Sequence, residues 1–179
     1  MSKKLMILGA SILQLPAIVR AKELGHFVIS VDIDKNAIGF PYADVNEVIS
    51  TVDIPEVLKC AKRHNIDGIM TLSTDMPMQT VATVAEDMKI HGINLATAIK
   101  ATDKAQMRMA LRDANVAIPD FYIASTLEEY KDAVPNFSGK YIVKPADSSG
   151  SRGVCLVENK SQENAAFGYS KNIQQVEKF

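Results

Sequence analysis

Two apolar runs separated by one helix's length of chain constrain this sequence more than any other feature in it. Leu5-Met6-Ile7-Leu8 is continuously apolar and stops at Gly9. A helical pattern follows in Leu13, Ala17, Val19, Ala21 and Leu24, and it stops at Gly25, a residue that ends helices because it accepts the left-handed conformation. Phe27-Val28-Ile29-Ser30-Val31-Asp32 is the second run. Apolar runs without alternation are strands buried on both faces, and two such strands joined by a helical crossover run parallel. The chain therefore begins with a βαβ unit.

The same alternation continues. Asp53-Ile54-Pro55-Glu56 starts a helix, with an N-cap Asp, an early Pro and a Glu three residues on, running to about Asn65. Asp67 to Leu72 reads as a third strand, Met76 to Met88 as a helix, and Ile93-Asn94-Leu95 as a short extended piece. After about residue 98 the pattern changes. Asp103 caps a helix that reaches about Ala114, with Gln106 completing a capping box, and Ile118-Pro119 breaks it. Phe121 to Ala124 reads as a strand, and Thr126-Leu127-Glu128-Glu129 opens a short helix. Two further strands flank the stretch 144–153, which is too short for a crossover, so they are antiparallel. A helix over about 162–170 and an extended end from Gln174 to Phe179 complete the reading. The expected class is α/β: a doubly wound parallel domain at 1–98, then a partial α+β lobe at 99–179.

Composition narrows the function. With 47% hydrophobic and 23% charged residues the chain has enough apolar material for a core. A net charge of −1 offers no basic field for nucleic acid and no cationic face for a membrane. No apolar run approaches the roughly 20 residues of a membrane span. Met1-Ser2-Lys3-Lys4 leads straight into a strand, without the apolar stretch of a signal peptide. Cys60 and Cys155 read as core thiols suited to a reduced, cytoplasmic setting. His26, His64 and His91 are scattered singly, without metal-ligand spacing.

The chemistry concentrates near the end. Tyr141-Ile142-Val143 leads into Lys144, and Asp147-Ser148-Ser149-Gly150-Ser151-Arg152-Gly153 follows. Period two puts Lys144 on the face of Ile142, opposite Tyr141 and Val143. A lysine ahead of a loop of small residues with uncovered amides meets the needs of a polyphosphate. A snorkelling lysine before a surface hairpin is the plainer reading, although the loop is longer than a tight hairpin needs. Lys104, at the first position of the helix capped by Asp103, reads alone as a solvated helix-end lysine and gains weight only beside Lys144.

Together, Thr102-Asp103-Lys104-Ala105, then Tyr141-Ile142-Val143-Lys144-Pro145, then the Ser/Gly loop ending Arg152-Gly153-Val154 resemble the ATP-grasp superfamily, preceded by its Rossmann-like pre-ATP-grasp domain. Gly25-His26-Phe27-Val28 before Val31-Asp32-Ile33-Asp34, and Asp67-Gly68-Ile69-Met70-Thr71 before Asp75, resemble carbamoyl-phosphate-synthase-like and biotin-carboxylase-like carboxylate–amine ligases. The resemblance implies that Lys104 and Lys144 contact ATP at the α/β phosphates and the adenine side. It implies that the loop of Ser148, Ser149, Gly150, Ser151, Arg152 and Gly153 closes over the β/γ phosphates. Val176-Glu177-Lys178-Phe179 resemble the hinge strand whose backbone and Glu hold adenine, so Glu177, Lys178 and Phe179 join the expected ATP site. The family's Mg²⁺ ligands and its acyl-phosphate arginine come from a second lobe. The chain is therefore expected to be truncated at the hinge, inactive alone, and completed by a second polypeptide or a longer gene product. The implied substrates are a small carboxylate and an amine, and the N-terminal domain is a candidate homodimer surface.

Two other classes fit parts of the sequence. A Rossmann-type NAD(P) oxidoreductase would use Gly9 and Asp32, but the G-x-G-x-x-G positions are Gly9, Ser11 and Gln14, so only the first glycine is present. A non-catalytic fragment or dimerisation module is the third class. At the ends of the parallel strands, Ser11, Thr74 and Asp75 are candidates for substrate binding, with a structural βα turn and a helix N-cap as the plainer readings.

Overall fold

In the computed structural model, residues 2–148 and 150–176 are described, with side chains to residue 173. The chain divides into two compact units, residues 1–99 and 100–179. The first unit carries β1 (Lys4–Leu8), α1 (Leu15–Glu23), β2 (Phe27–Asp32), β3 (Val45–Val48), α2 (Ile54–His64), β4 (Gly68–Thr71), α3 (Met78–Met88) and the start of α4 (Leu95–Thr102). The sheet order is β3-β2-β1-β4, and all its pairings are parallel.

Register explains the two layers. Met6 pairs with Ile29 and Leu8 with Val31, and all four point to one face, where they pack with Val57, Cys60 and Ala61 of α2 and Val81, Val84 and Ala85 of α3. Ile7 and Val28 point to the other face and pack with Ile18 and Ala21 of α1 and with Phe40 in a single 3₁₀ turn. Strands that bury both faces need apolar residues at every position, which is why β1 and β2 do not alternate. The α2 start is as read: Asp53 accepts from the Glu56 N–H, Pro55 lies in the first turn, and Asn65 ends the helix in the left-handed conformation.

The structure departs from the sequence reading of this unit at three places. The strand β3 was not anticipated: Val-Asn-Glu-Val is an edge strand with only alternate residues half-buried. It is held to β2 by Asp44, whose Oδ2 accepts from the Val28 N–H at 2.7 Å and whose Oδ1 accepts from Lys22 Nζ. Ile93-Asn94-Leu95 is not an extended piece. Leu95 opens α4, with Asn94 Oδ1 accepting from the Thr97 N–H at 2.7 Å as a capping side chain does. The helix α3 starts two residues later than read, with Pro77 at its N-cap position, so neither Thr74 nor Asp75 caps it.

The second unit holds α5 (Lys104–Asp113), α6 (Leu127–Ala133), the antiparallel pair β5 (Tyr141–Val143) and β6 (Cys155–Val157), and α7 (Glu163–Val176). Asp103 Oδ1 accepts from the Gln106 N–H at 2.8 Å at the start of α5, and Thr126 with Glu129 forms the full capping box of α6. Its aromatic side chains pack on one another around the buried Tyr130. Tyr130 stacks on Phe167, Phe137 stacks on Tyr141, and the Tyr130 and Tyr141 hydroxyls meet at 2.9 Å. Phe121 to Ala124 forms no strand, although Arg112 lies over the Phe121 ring and Tyr122 packs edge-on to Phe137. The expected extended end is also corrected: α7 continues through Gln174, Gln175 and Val176. Glu177, Lys178 and Phe179 lie outside the described residues. Cys60 is buried, Cys155 is half-buried, and both are free thiols. Among the described residues no helix is long and apolar enough to cross a membrane.

Candidate functional site

Lys144 follows β5 directly. Ile142 is 53% exposed while Tyr141 and Val143 are half-buried, so the face that Lys144 shares with Ile142 is the open one. Partial burial, then Arg108, then Lys104 hold the Lys144 ammonium below its ordinary 10.5. Both charges acting on it are positive. Lys104 and Arg108 stand four residues apart on α5, hence on one face of that helix. The result is a cluster of like charge that is unfavourable by itself and that a polyanion reverses.

The loop after Lys144 is anchored at both ends. At its start the Lys104 N–H donates to the Ala146 carbonyl at 2.8 Å, and Lys104 Nζ donates to the Ser148 carbonyl. Lys104 thus positions the loop as well as adding charge. An ammonium has three donors, so one bond to a carbonyl leaves capacity for phosphate oxygens. At the far end Ser170 Oγ on α7 donates to the Gly153 carbonyl. Gly153 has φ +75°, and a Cβ there would stand 2.6 Å from Pro145 Cγ and 3.2 Å from Ile173 Cβ. Only a residue without a side chain fits that closure. Between the anchors Gly150 and Ser151 both have positive φ, +64° and +60°, and Gly150, Ser151 and Arg152 are exposed. Two consecutive residues at positive φ have the φ signs of a type I′ turn, here exposed at the tip of the loop. Ser149 lies outside the described residues.

The structure therefore brings Lys104, Lys144 and Ser148 to one place within the second unit, with Gly153 closing the loop against Pro145. Arg108 is the residue that the sequence reading missed. Its signal was present in the i, i+4 spacing from Lys104, but that spacing marks a site only once the partner face is known.

In the first unit, β1 and β4 are neighbours and chain connectivity reverses between them, so Ser11 after β1 and Thr74-Asp75 after β4 flank the switch point of the sheet. The edge is closed by its own groups. Gln14, 3% exposed, accepts from Ser11 Oγ at 2.6 Å and donates to the Leu72 carbonyl at 2.5 Å. Its side chain lies where a Cβ on Gly9 would stand, 2.8 Å away. Asp32 accepts from the Ala10 N–H with Oδ2 and from the Asp34 N–H with Oδ1. Thr74 Oγ1 accepts from the Met76 N–H at 3.4 Å, and the Asp75 side chain is on an exposed residue.

Residues 101–176 match the family model described as ATP-grasp domain. The second unit is similar to an ATP-grasp domain over nearly its whole length. Over nearly the whole chain the sequence is 29% identical to a formate-dependent phosphoribosylglycinamide formyltransferase of Chlorobium phaeobacteroides, covering 96% of this chain and 44% of that protein. A phosphoribosylglycinamide synthetase structure from Anaerococcus prevotii superposes with a TM-score of 0.70 at 25% identity, covering 96% of this chain and 43% of the other. An N5-carboxyaminoimidazole synthetase from Staphylococcus aureus, solved with ADP, gives 0.78 at 15% identity over 94% of this chain and 45% of the other, a likeness of fold. The chain spans less than half the length of these relatives. Its parallel sheet and α+β unit correspond to the fold of the ATP-grasp ligases over that part of their length.

Proposed function

We propose that this chain is the ATP-holding part of an ATP-dependent carboxylate–amine ligase. The observation that carries the reading is the cluster of Lys104, Arg108 and Lys144 at the base of an anchored Ser/Gly loop. Three cations beside an exposed glycine- and serine-rich loop suit a polyphosphate better than any monovalent anion. Lys144 and Lys104 take the α/β phosphates, and the backbone of Ser148 to Gly153, Ser149 included, closes over the β/γ phosphates with Arg152 adding charge. Glu177, Lys178 and Phe179 take the adenine, as the family resemblance implies. Mg²⁺ supplies charge neutralisation on the transferring phosphate, and its ligands come from the second lobe. ATP binding without turnover is the behaviour proposed for residues 1–179.

The substrate class follows the relatives' names. A small carboxylate, formate in the formyltransferases, is activated as an acyl phosphate and attacked by an amine such as that of phosphoribosylglycinamide. A carbamoyl-phosphate-synthase-like pairing of carboxylate and amine is the finer alternative within the same chemistry. Ser11, Thr74 and Asp75 at the sheet edge are the proposed substrate contacts. The setting proposed is cytoplasmic. A homodimer through the first unit, or a second polypeptide carrying the other lobe, completes the enzyme. Nicotinamide binding is disfavoured by Gln14, which fills the space beside Gly9, and by Asp32, whose two oxygens already accept from the Ala10 and Asp34 amides.

Isothermal titration with ATP tests the reading. The native chain binds, and Lys144→Ala weakens binding about a hundredfold, as expected for loss of a charge-assisted contact to phosphate. Equal affinity in the two proteins, with unchanged circular dichroism, removes Lys144 from the site. Binding of NADH in place of ATP overturns the ligase reading.

A further inference from the structure

In the first unit, three side chains converge with the chemistry of a metal centre. Glu47 comes from the edge strand β3, and Cys60 and His64 come from successive turns of α2. One ligand atom of each lies within 4.8 Å of the others. We infer that Glu47, Cys60 and His64 form a site for a zinc-class divalent cation.

The donor set is a sulfur, an imidazole nitrogen and a carboxylate oxygen. That mixture suits a borderline ion such as Zn²⁺, whereas Mg²⁺ and Ca²⁺ prefer oxygen alone. The i, i+4 spacing of Cys60 and His64 puts both on one face of α2. The thiol is buried, at 1% exposure, while the Glu47 and His64 side chains keep 18% and 20%. The cluster thus has a buried floor at the thiol and a mouth open to solvent, where the Arg63 guanidinium lies.

The donors are already arranged around a positive group. Arg63 Nη2 donates to Glu47 Oε1 at 2.7 Å and lies 3.6 Å from Cys60 Sγ, and His64 Nε2 is 2.6 Å from the same carboxylate oxygen. Arg63 is itself 54% exposed and is free to swing out on its long stem. An entering ion displaces the guanidinium and breaks the His64–Glu47 hydrogen bond; it takes the thiolate, the imidazole Nε2 and the carboxylate, the thiol proton leaving to solvent and the Nε2 proton moving through solvent to Nδ1. Burial first, then the Glu47 charge, pushes the Cys60 thiol up to about 11, so that proton competes with the metal near neutral pH.

Titration of the protein with Co²⁺, then Zn²⁺, tests the site. One equivalent of Co²⁺ gives a thiolate charge-transfer band in the near ultraviolet, and Zn²⁺ abolishes it. Cys60→Ser removes the band. Because that residue is in the core, His64→Ala is the second variant, and it weakens binding about tenfold or more. Arg63→Gln tightens binding several-fold by removing the competing cation, an effect that a purely structural ion-pair network does not produce. His26→Ala and His91→Ala leave binding unchanged. Absence of the band in the folded native protein, equal affinity after His64→Ala, or weaker binding after Arg63→Gln overturns the site.

Discussion

At the carboxyl edge of the first unit, Ser11 is bonded to Gln14, Gln14 to Leu72, and Asp32 to Ala10 and Asp34. At the loop of the second unit, Lys144 instead faces two other cations, and two consecutive residues hold positive φ. One set of polar groups is satisfied by the protein itself, and the other is arranged at a cost. The first unit can bear this division because its two core clusters cover both faces of a four-stranded sheet. The second unit has a two-stranded sheet and a few stacked rings. Unfavourable clustering of charge outside a core marks a place that a ligand completes, whereas groups that already bond one another must exchange those bonds to take one.

The largest test of that contrast is in the core. Leu8 is fully buried between the sheet and α2/α3, so Leu8→Ala costs about 2–5 kcal/mol of first-unit stability in urea denaturation. Amide protection of β5 and β6 persists if the units are stabilised separately; joint loss breaks the comparison. Smaller and local is Gly153→Ala. A Cβ at φ +75° meeting Pro145 costs about 1–3 kcal/mol, read as faster hydrogen exchange over 148–156 with the first unit unchanged.

The smallest effect is on titration. Lys144 loses its proton below 10.5 in the folded protein, so the unfolded chain binds more protons between the depressed value and 10.5. Stability therefore rises with pH through that window as repulsion from Arg108 and Lys104 is relieved. ATP favours the charged lysine, so nucleotide affinity falls over the same window. Arg108→Gln moves the Lys144 value back toward 10.5, measured by NMR titration of the Nζ-adjacent methylene. A pH-independent affinity across that range removes Lys144 from the phosphate contacts.

How far the sequence could be read follows from how local each signal is. The runs at β1 and β2, the Asp53 cap of α2 and the Thr126/Glu129 box of α6 were legible because each depends on neighbours within a few residues. Phe121 to Ala124 misled because β propensity reports fit to a sheet surface, and no strand pairs there. The edge strand β3 was missed for the converse reason: its apolar content is slight, and it forms by pairing with β2, with Asp44 adding a side-chain bond to Val28. Asn94 was read as part of an extended piece, although Asn is also a capping residue, and only the α4 hydrogen bonds distinguish the two.

By itself the sequence determined the parallel βαβ start, the change to an antiparallel hairpin and the lysine-plus-loop motif, since periodicity and turn chemistry are short-range. Tertiary structure alone decided that Arg108 faces Lys144, that Gln14 fills the crevice beside Gly9, and that Glu47 meets Cys60 and His64. Each of these pairs or groups elements whose separation along the chain carries no information until strand order and register bring them within a few ångströms, where charge and desolvation take effect.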